Sequence, residues 1–139
     1  MQGDDPQGAT PKGTILIVED NELNLKLLKD VLDFHGYSTV VTGSGAEALT
    51  LARQYHPDLI LLDIQLPDIA GTEVARRLKA DGQTHAIPII AVTAFAMSGD
   101  REMILDSGCD DYIAKPFNIR EFLALVERYI DGTTAEVAP

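Results

Sequence analysis

The hydrophobic positions of this chain change period several times. Residues 14–18, Thr-Ile-Leu-Ile-Val, form a short apolar run rich in β-branched residues that ends at Glu19-Asp20, as a strand does. Beyond Asn21 the period becomes helical, with Leu27, Leu28, Val31 and Leu32 on one stripe and Gly36 supplying the stop. Residues 37–42, YSTVVT, read as a second strand, and their polarity puts it nearer an edge. Ser44 with Glu47 is a capping-box signature opening a second helix, which carries Leu49 and Ala52 inward and ends at Pro57.

The densest apolar run is Leu59-Ile-Leu-Leu62, which leaves no polar face and stops at Asp63, with Pro67 just beyond. A run of this kind belongs to a strand buried on both sides, inside a parallel sheet. A third helix follows Gly71 with Val74, Ala75 and Leu78 and stops before Gly82. Residues 87–93 read as a fourth strand, and Ser98 or Gly99 opens a fourth helix that carries Met103 and Ile104 and stops at Gly108. Residues 112–114 make a short fifth strand ending in Lys115-Pro116. Asn118 with Glu121 caps a fifth helix marked by Ile119, Phe122, Leu123, Val126 and Ile130 and ended by Gly132. Residues 1–13 show no apolar period and read as a disordered leader, and residues 132–139 as a flexible tail.

Five strands alternating with five helices imply an α/β fold, a doubly wound parallel sheet with helices on both faces. Right-handed crossovers leave few topologies, and the flavodoxin-like (βα)5 order 2-1-3-4-5 is the one expected. Composition narrows the function. A chain of 139 residues is one domain's worth, enough to bury about 70% of its unfolded surface. A net charge of −11 argues against nucleic acid as a direct ligand, since phosphate backbones need a basic face. The single cysteine, Cys109, rules out an internal disulfide and a cysteine-based metal site, so a cytoplasmic, reducing setting is expected. No apolar stretch has membrane length and no signal-peptide pattern opens the chain.

Ligands of such sheets bind outside the carboxyl ends of the strands. The first strand ends in Glu19 and Asp20, the third in Asp63, the fourth in Thr93-Ala94 and the fifth in Lys115. A helix cap explains any one of these; it does not explain three carboxylates, a hydroxyl and an ammonium at one edge. Two unit charges about 4 Å apart interact by roughly 4 kcal/mol at an effective dielectric near 20. Clustered carboxylates therefore protonate or recruit a cation, and hard oxygen ligands with open positions suit Mg2+. A carboxylate beside Mg2+, faced by a lysine and a hydroxyl, is equipped to attack a phosphoryl group in line.

With those residues in that order, the chain resembles the receiver domains of two-component response regulators, of the CheY-like superfamily, from about Thr14 to Ile130. The segments VEDNELN (18–24), DLILLDIQLP (58–67), AVTAFAMSGD (91–100) and Gly108-Cys109 resemble the DivK group of single-domain regulators. The resemblance implies a receiver domain over residues 14–131 with Asp63 as phosphoacceptor. It implies Mg2+, or Mn2+, held by Asp20, Asp63 and the backbone carbonyl of Gln65, with Glu19 acting through metal-bound water. Thr93 and Lys115 would hold phosphoryl oxygens, Thr93 and Tyr112 would form the switch, and Gln65 and Phe95 would tune hydrolysis. A cis Lys115-Pro116 bond is also implied.

The implied function is that of a single-domain regulator in a phosphorelay, a phosphoacceptor module and not an enzyme, which assists its own phosphorylation and slow dephosphorylation. The implied partners are a sensor histidine kinase or a histidine phosphotransfer protein and a downstream protein target, with neither nucleic acid nor membrane. Oligomerisation would be limited to a monomer or a weak dimer through helix four, strand five and helix five. Arg101, Asp106, Asp110, Arg120 and Glu121 on that face serve equally as a solvated surface. With no output domain after helix five, output is expected to run through protein contacts, although a receiver excised from a hybrid kinase gives the same sequence. An aspartate-nucleophile phosphohydrolase of the haloacid-dehalogenase type would need a second Asp where Gln65 stands, and a flavin carrier would need a phosphate loop after strand one. His35, His56 and His85 share no metal-ligand spacing, and Cys109 reads as a small buried residue.

Overall fold

A computed structural model describes residues 12–94, 98–116 and 118–131. Strands and helices alternate through them: β1 (Thr14–Val18), α1 (Glu22–Phe34), β2 (Ser38–Thr42), α2 (Gly45–Tyr55), β3 (Leu59–Asp63), α3 (Gly71–Ala80), β4 (Ile89–Thr93), α4 (Ser98–Asp106), β5 (Asp111–Ala114) and α5 (Ile119–Asp131). The leader up to residue 11, Phe95, the expected stop at Gly132 and the tail lie outside the described residues.

All four strand pairings are parallel, in the order β2-β1-β3-β4-β5. Every residue of β3 and of β4 is buried, which is why their sequences carry no polar face. Alternate residues serve opposite sides of the sheet. Ile15, Ile17, Leu59, Leu61, Ile90 and Val92 pack against Leu28 and Leu32 of α1 and Phe122 and Val126 of α5. Leu16, Val18, Ile60, Leu62, Ile89 and Ala91 pack against α2, α3 and Ile104 of α4. The sheet is thus covered on both faces, and its strand ends are left as the place where polar groups collect. Edge strand β2 is the most polar, with a single buried residue, Thr42.

Helix ends follow local chemistry. Asn21 Oδ1 accepts the Asn24 amide at 3.0 Å to start α1. At its other end Tyr37 N donates to Leu32 O and Gly36 N to Asp33 O, with Gly36 at φ 93°; this paired closure needs a left-handed residue after the cap. Because Tyr37 is used there, β2 begins at Ser38. Ser44 Oγ accepts the Glu47 amide at 3.1 Å, but the expected reciprocal bond is absent. Glu47 instead takes the Thr42 hydroxyl, and Ser44 N donates to Thr42 Oγ1. Strand β4 starts at Ile89, two residues later than its apolar run, since Pro88 has no N–H for a ladder. Asn118 Oδ1 caps α5 through the Glu121 amide at 3.1 Å.

Candidate functional site at the carboxyl ends of the strands

The sheet register brings the polar strand ends together. Val18 lies opposite Leu62 and Asp63 opposite Val92, so Glu19, Asp63 and Thr93 follow one another across neighbouring strands. Lys115 N donates to Thr93 O at 2.7 Å, extending the β4–β5 pairing past Ala114. The Lys115-Pro116 bond is cis. Lys115 Nζ stands 3.1 Å from Glu19 Oε1 and 3.8 Å from Asp63 Oδ2. Both carboxylates are buried, Glu19 at 1% exposure and Asp63 at 7%.

Each carboxylate is also held by backbone. Asp63 Oδ1 accepts the Gln65 amide at 3.0 Å, and Glu19 Oε2 accepts the Asn21 amide at 3.1 Å. Glu19 Oε1 is fully buried and makes no well-aligned hydrogen bond, although the lysine lies within ion-pair range. Buried oxygens in that condition are costly and mark a place for a further donor or cation. Asp20 is exposed beside this group, and Gln65 is exposed on the loop between β3 and α3. Thr93 is buried at the end of β4.

Tyr112, opposite Ala91 in β5, is half-buried, with Arg101 of α4 5.4 Å from its ring centroid. The structure therefore gathers Glu19, Asp63, Thr93 and Lys115, places Asp20 and Gln65 at their rim, and sets Tyr112 further along β5 beside α4. Cys109 is buried, and burial pushes its thiol up from the ordinary range. His35, His56 and His85 lie on separate segments. Asp68 was not singled out by its sequence, yet its carboxylate binds Ser44, Gly45 and Ala46; contacts made across 22 to 24 positions leave no local spacing to read.

Burial is the main reason that the Asp63 carboxyl is pushed up to about 6; the Gln65 amide opposes the shift, nearby Glu19 adds to it and Lys115 offsets part. An acid whose pKa is higher folded than unfolded favours the fold when protonated. Its contribution is complete below about 3.8 and is lost as pH rises through about 6. Asp63→Asn is therefore expected to be about 1–3 kcal/mol more stable than wild type at pH 7.5 in EDTA. That gain is expected to shrink by about 1 kcal/mol at pH 5, where the wild-type carboxyl is mostly protonated. Urea unfolding of the two proteins at both pH values checks this, and a pH-independent difference contradicts it.

Among the described residues no three His, Cys, Asp or Glu side chains form a ready metal cage. A small hard cation does not require one: Mg2+ takes one or two carboxylates and keeps waters or phosphate oxygens in its other positions. The exposed Asp20, the Asp63 carboxylate, the exposed Gln65 segment and the buried Glu19 carboxylate beside Lys115 fit that demand by donor chemistry. No helix among the described residues is long and apolar enough to cross a membrane.

Residues 15–127 match the model of the response regulator receiver domain, and the chain belongs to that family. Its relatives include the polar-differentiation response regulator DivK of Brucella ovis, 53% identical over 117 residues that cover 84% of this chain and 95% of the relative. The protein of the same description from Brucella anthropi is 51% identical over the same shares. Among solved structures, the receiver domain of sensor histidine kinase PA1611 from Pseudomonas aeruginosa PAO1, with a magnesium ion coordinated in its active site cleft, is 37% identical. Its TM-score is 0.80, with 86% of this chain and 98% of that one covered. A putative response regulator from Chloroflexus aurantiacus is 31% identical with a TM-score of 0.83, over 88% of this chain and 99% of that one.

Proposed function

We propose that this chain is a single-domain response regulator of a phosphorelay, taking a phosphoryl group from a phosphohistidine onto Asp63. The observation that carries the reading is the convergence at one sheet edge: Lys115 lies within 3.8 Å of both Glu19 and Asp63, with Thr93 at the end of the next strand. In the transfer a carboxylate oxygen of Asp63 forms the new P–O bond as the P–N bond to the donor histidine breaks. The electron pair of that bond goes to the imidazole nitrogen. The strand end holds Asp63 for in-line approach, and the Gln65 amide fixes the orientation of its other oxygen.

Asp20, Asp63 and the Gln65 carbonyl would hold Mg2+ or Mn2+, with Glu19 acting through water. When bound, the cation supplies Lewis-acid neutralisation of charge on the transferring oxygens. Lys115 offers its ammonium to one phosphoryl oxygen and Thr93 its hydroxyl to another. Drawing Thr93 toward the phosphoryl group would shift packing next to Tyr112, which sits on β5 against α4 and beneath Arg101. This is the route to a changed partner surface on α4, β5 and α5. Gln65, beside the acceptor, would govern access of water to the acyl phosphate, as would Phe95. The donor is a histidine kinase or histidine phosphotransfer protein, and the output is binding to a protein target in the cytoplasm.

Incubation with a phosphohistidine donor and Mg2+ is expected to label the chain with a hydroxylamine-labile phosphoryl group, and EDTA is expected to suppress the labelling. Hydroxylamine-stable label, or labelling indifferent to EDTA, contradicts the assignment.

A further inference from the structure

Asp68 lies in the loop between β3 and α3, but its carboxylate is engaged with another element. Oδ1 accepts the Gly45 amide at 2.9 Å, and Oδ2 accepts the Ala46 amide and the Ser44 hydroxyl, each at 3.0 Å. With Ser44 Oγ taking the Glu47 amide at 3.1 Å, the first three amides of α2 are all satisfied, two of them by a residue from a different loop. The Ala46 and Gly45 amides, in that order, hold the Asp68 carboxyl well below the usual carboxylate range.

The same end of α2 also meets the other acidic loop. Glu19 N donates to Thr42 O at 3.0 Å. A Cβ placed on Gly43 would lie 3.5 Å from Glu19 O and 3.6 Å from Asp20 Cα. Residues 42–46 therefore bridge the loop bearing Glu19 and Asp20 to the loop bearing Asp63 and Gln65. At its ends the second loop is fixed by Gln65 N on Asp63 Oδ1 and by Gly71 N on Ile64 O at 2.9 Å. Leu66 and Ile69 pack against the core from its middle, and Asp68 adds the directional tie there.

We propose that Asp68 is a positioning residue for the acidic pocket: by strapping the β3–α3 loop to the N-terminus of α2, it sets the spacing of the Gln65 carbonyl and Asp63 from Asp20, and with it the affinity for a divalent cation. The proposal rests on the reading of this pocket as a cation and phosphoryl site. A helix cap with no such role would affect stability alone.

Calorimetric titration of the full chain with MgCl2 reads the affinity without any phosphoryl transfer. Asp68→Ala is expected to weaken Mg2+ binding about tenfold, as the loss of residues that orient metal ligands does. Asp68→Asn keeps one acceptor oxygen but turns an NH2 toward donors, so its affinity is expected to fall between; it is the variant to read if the alanine protein does not fold. Gln54→Gly weakens the same helix at an exposed position near its opposite end, and it is expected to bind Mg2+ as wild type does. Wild-type affinity in the folded Asp68 variants, or equal weakening in Gln54→Gly, overturns the strap. Folded wild-type protein that takes up no Mg2+ overturns the pocket reading itself and the strap with it.

Discussion

Asp63→Asn protein is expected to take no phosphoryl group from a phosphohistidine donor in Mg2+, a fall of about a thousandfold or more, as for loss of a nucleophile. The carboxamide matches the carboxylate in shape and keeps an oxygen for the Gln65 amide, which reaches Asp63 Oδ1 at 3.0 Å. What it lacks is the charged oxygen that forms the bond to phosphorus. Among the described residues neither neighbouring carboxylate is placed to replace it. Glu19 is buried and paired with Lys115, and Asp20 is displaced to the exposed rim. Loss of labelling is not expected to reflect unfolding, because burial raises the Asp63 pKa and removing that carboxylate is expected to stabilise the neutral-pH fold, which the urea unfolding described above checks. Transfer from a radiolabelled donor, followed on gels over time, makes the measurement. Wild-type labelling of the variant would move the acceptor elsewhere.

Gly71→Ala is expected to destabilise the protein by roughly 3 kcal/mol or more, near the upper end for inserting atoms into packed structure. The added Cβ would lie 2.6 Å from Ile64 Cα and closer still to the Asp63 carbonyl oxygen. Both are backbone atoms, so no rotamer change relieves the clash. Either α3 moves off the sheet, exposing Val74, Ala75 and Leu78, or the end of β3 moves and carries Asp63 with it. The substitution thus strikes the fold and the pocket together, unlike Asp63→Asn. Urea unfolding combined with the labelling assay checks it. Wild-type stability with wild-type labelling would contradict so close an approach.

The fold was legible because its central strands are buried on both faces and must be apolar throughout. Leu59, Ile60, Leu61 and Leu62 announce β3, and Asp63 ends it, with no need of longer-range information. The polar ends of β1, β3, β4 and β5 were legible as a group because the strand order follows from right-handed crossovers. Local competition was harder to read. Ser44 and Glu47 promise a reciprocal cap, but the Thr42 hydroxyl intercepts the glutamate. Pro88 removes a donor and delays β4, although Ile87 extends the apolar run. Nor does spacing reveal which carboxylate holds Lys115 more closely; the answer, Glu19, is a matter of ångströms between strands. Asp68 was invisible for a plainer reason, since its partners belong to a helix whose neighbours are set by the whole topology.

The placement of Lys115 at the end of β5 has a consequence for how the chain comes to be folded. The acidic half of the pocket is built on β1 and β3, which pair directly at the centre of the sheet. Its counter-charge arrives with β5, a four-residue strand at the sheet edge paired to β4. In chain order both carboxylates therefore precede the ammonium that stands 3.1 Å from Glu19 and 3.8 Å from Asp63. Docking of the edge strand brings in that counter-charge, so one step completes both the sheet and the charge balance of its central acidic end.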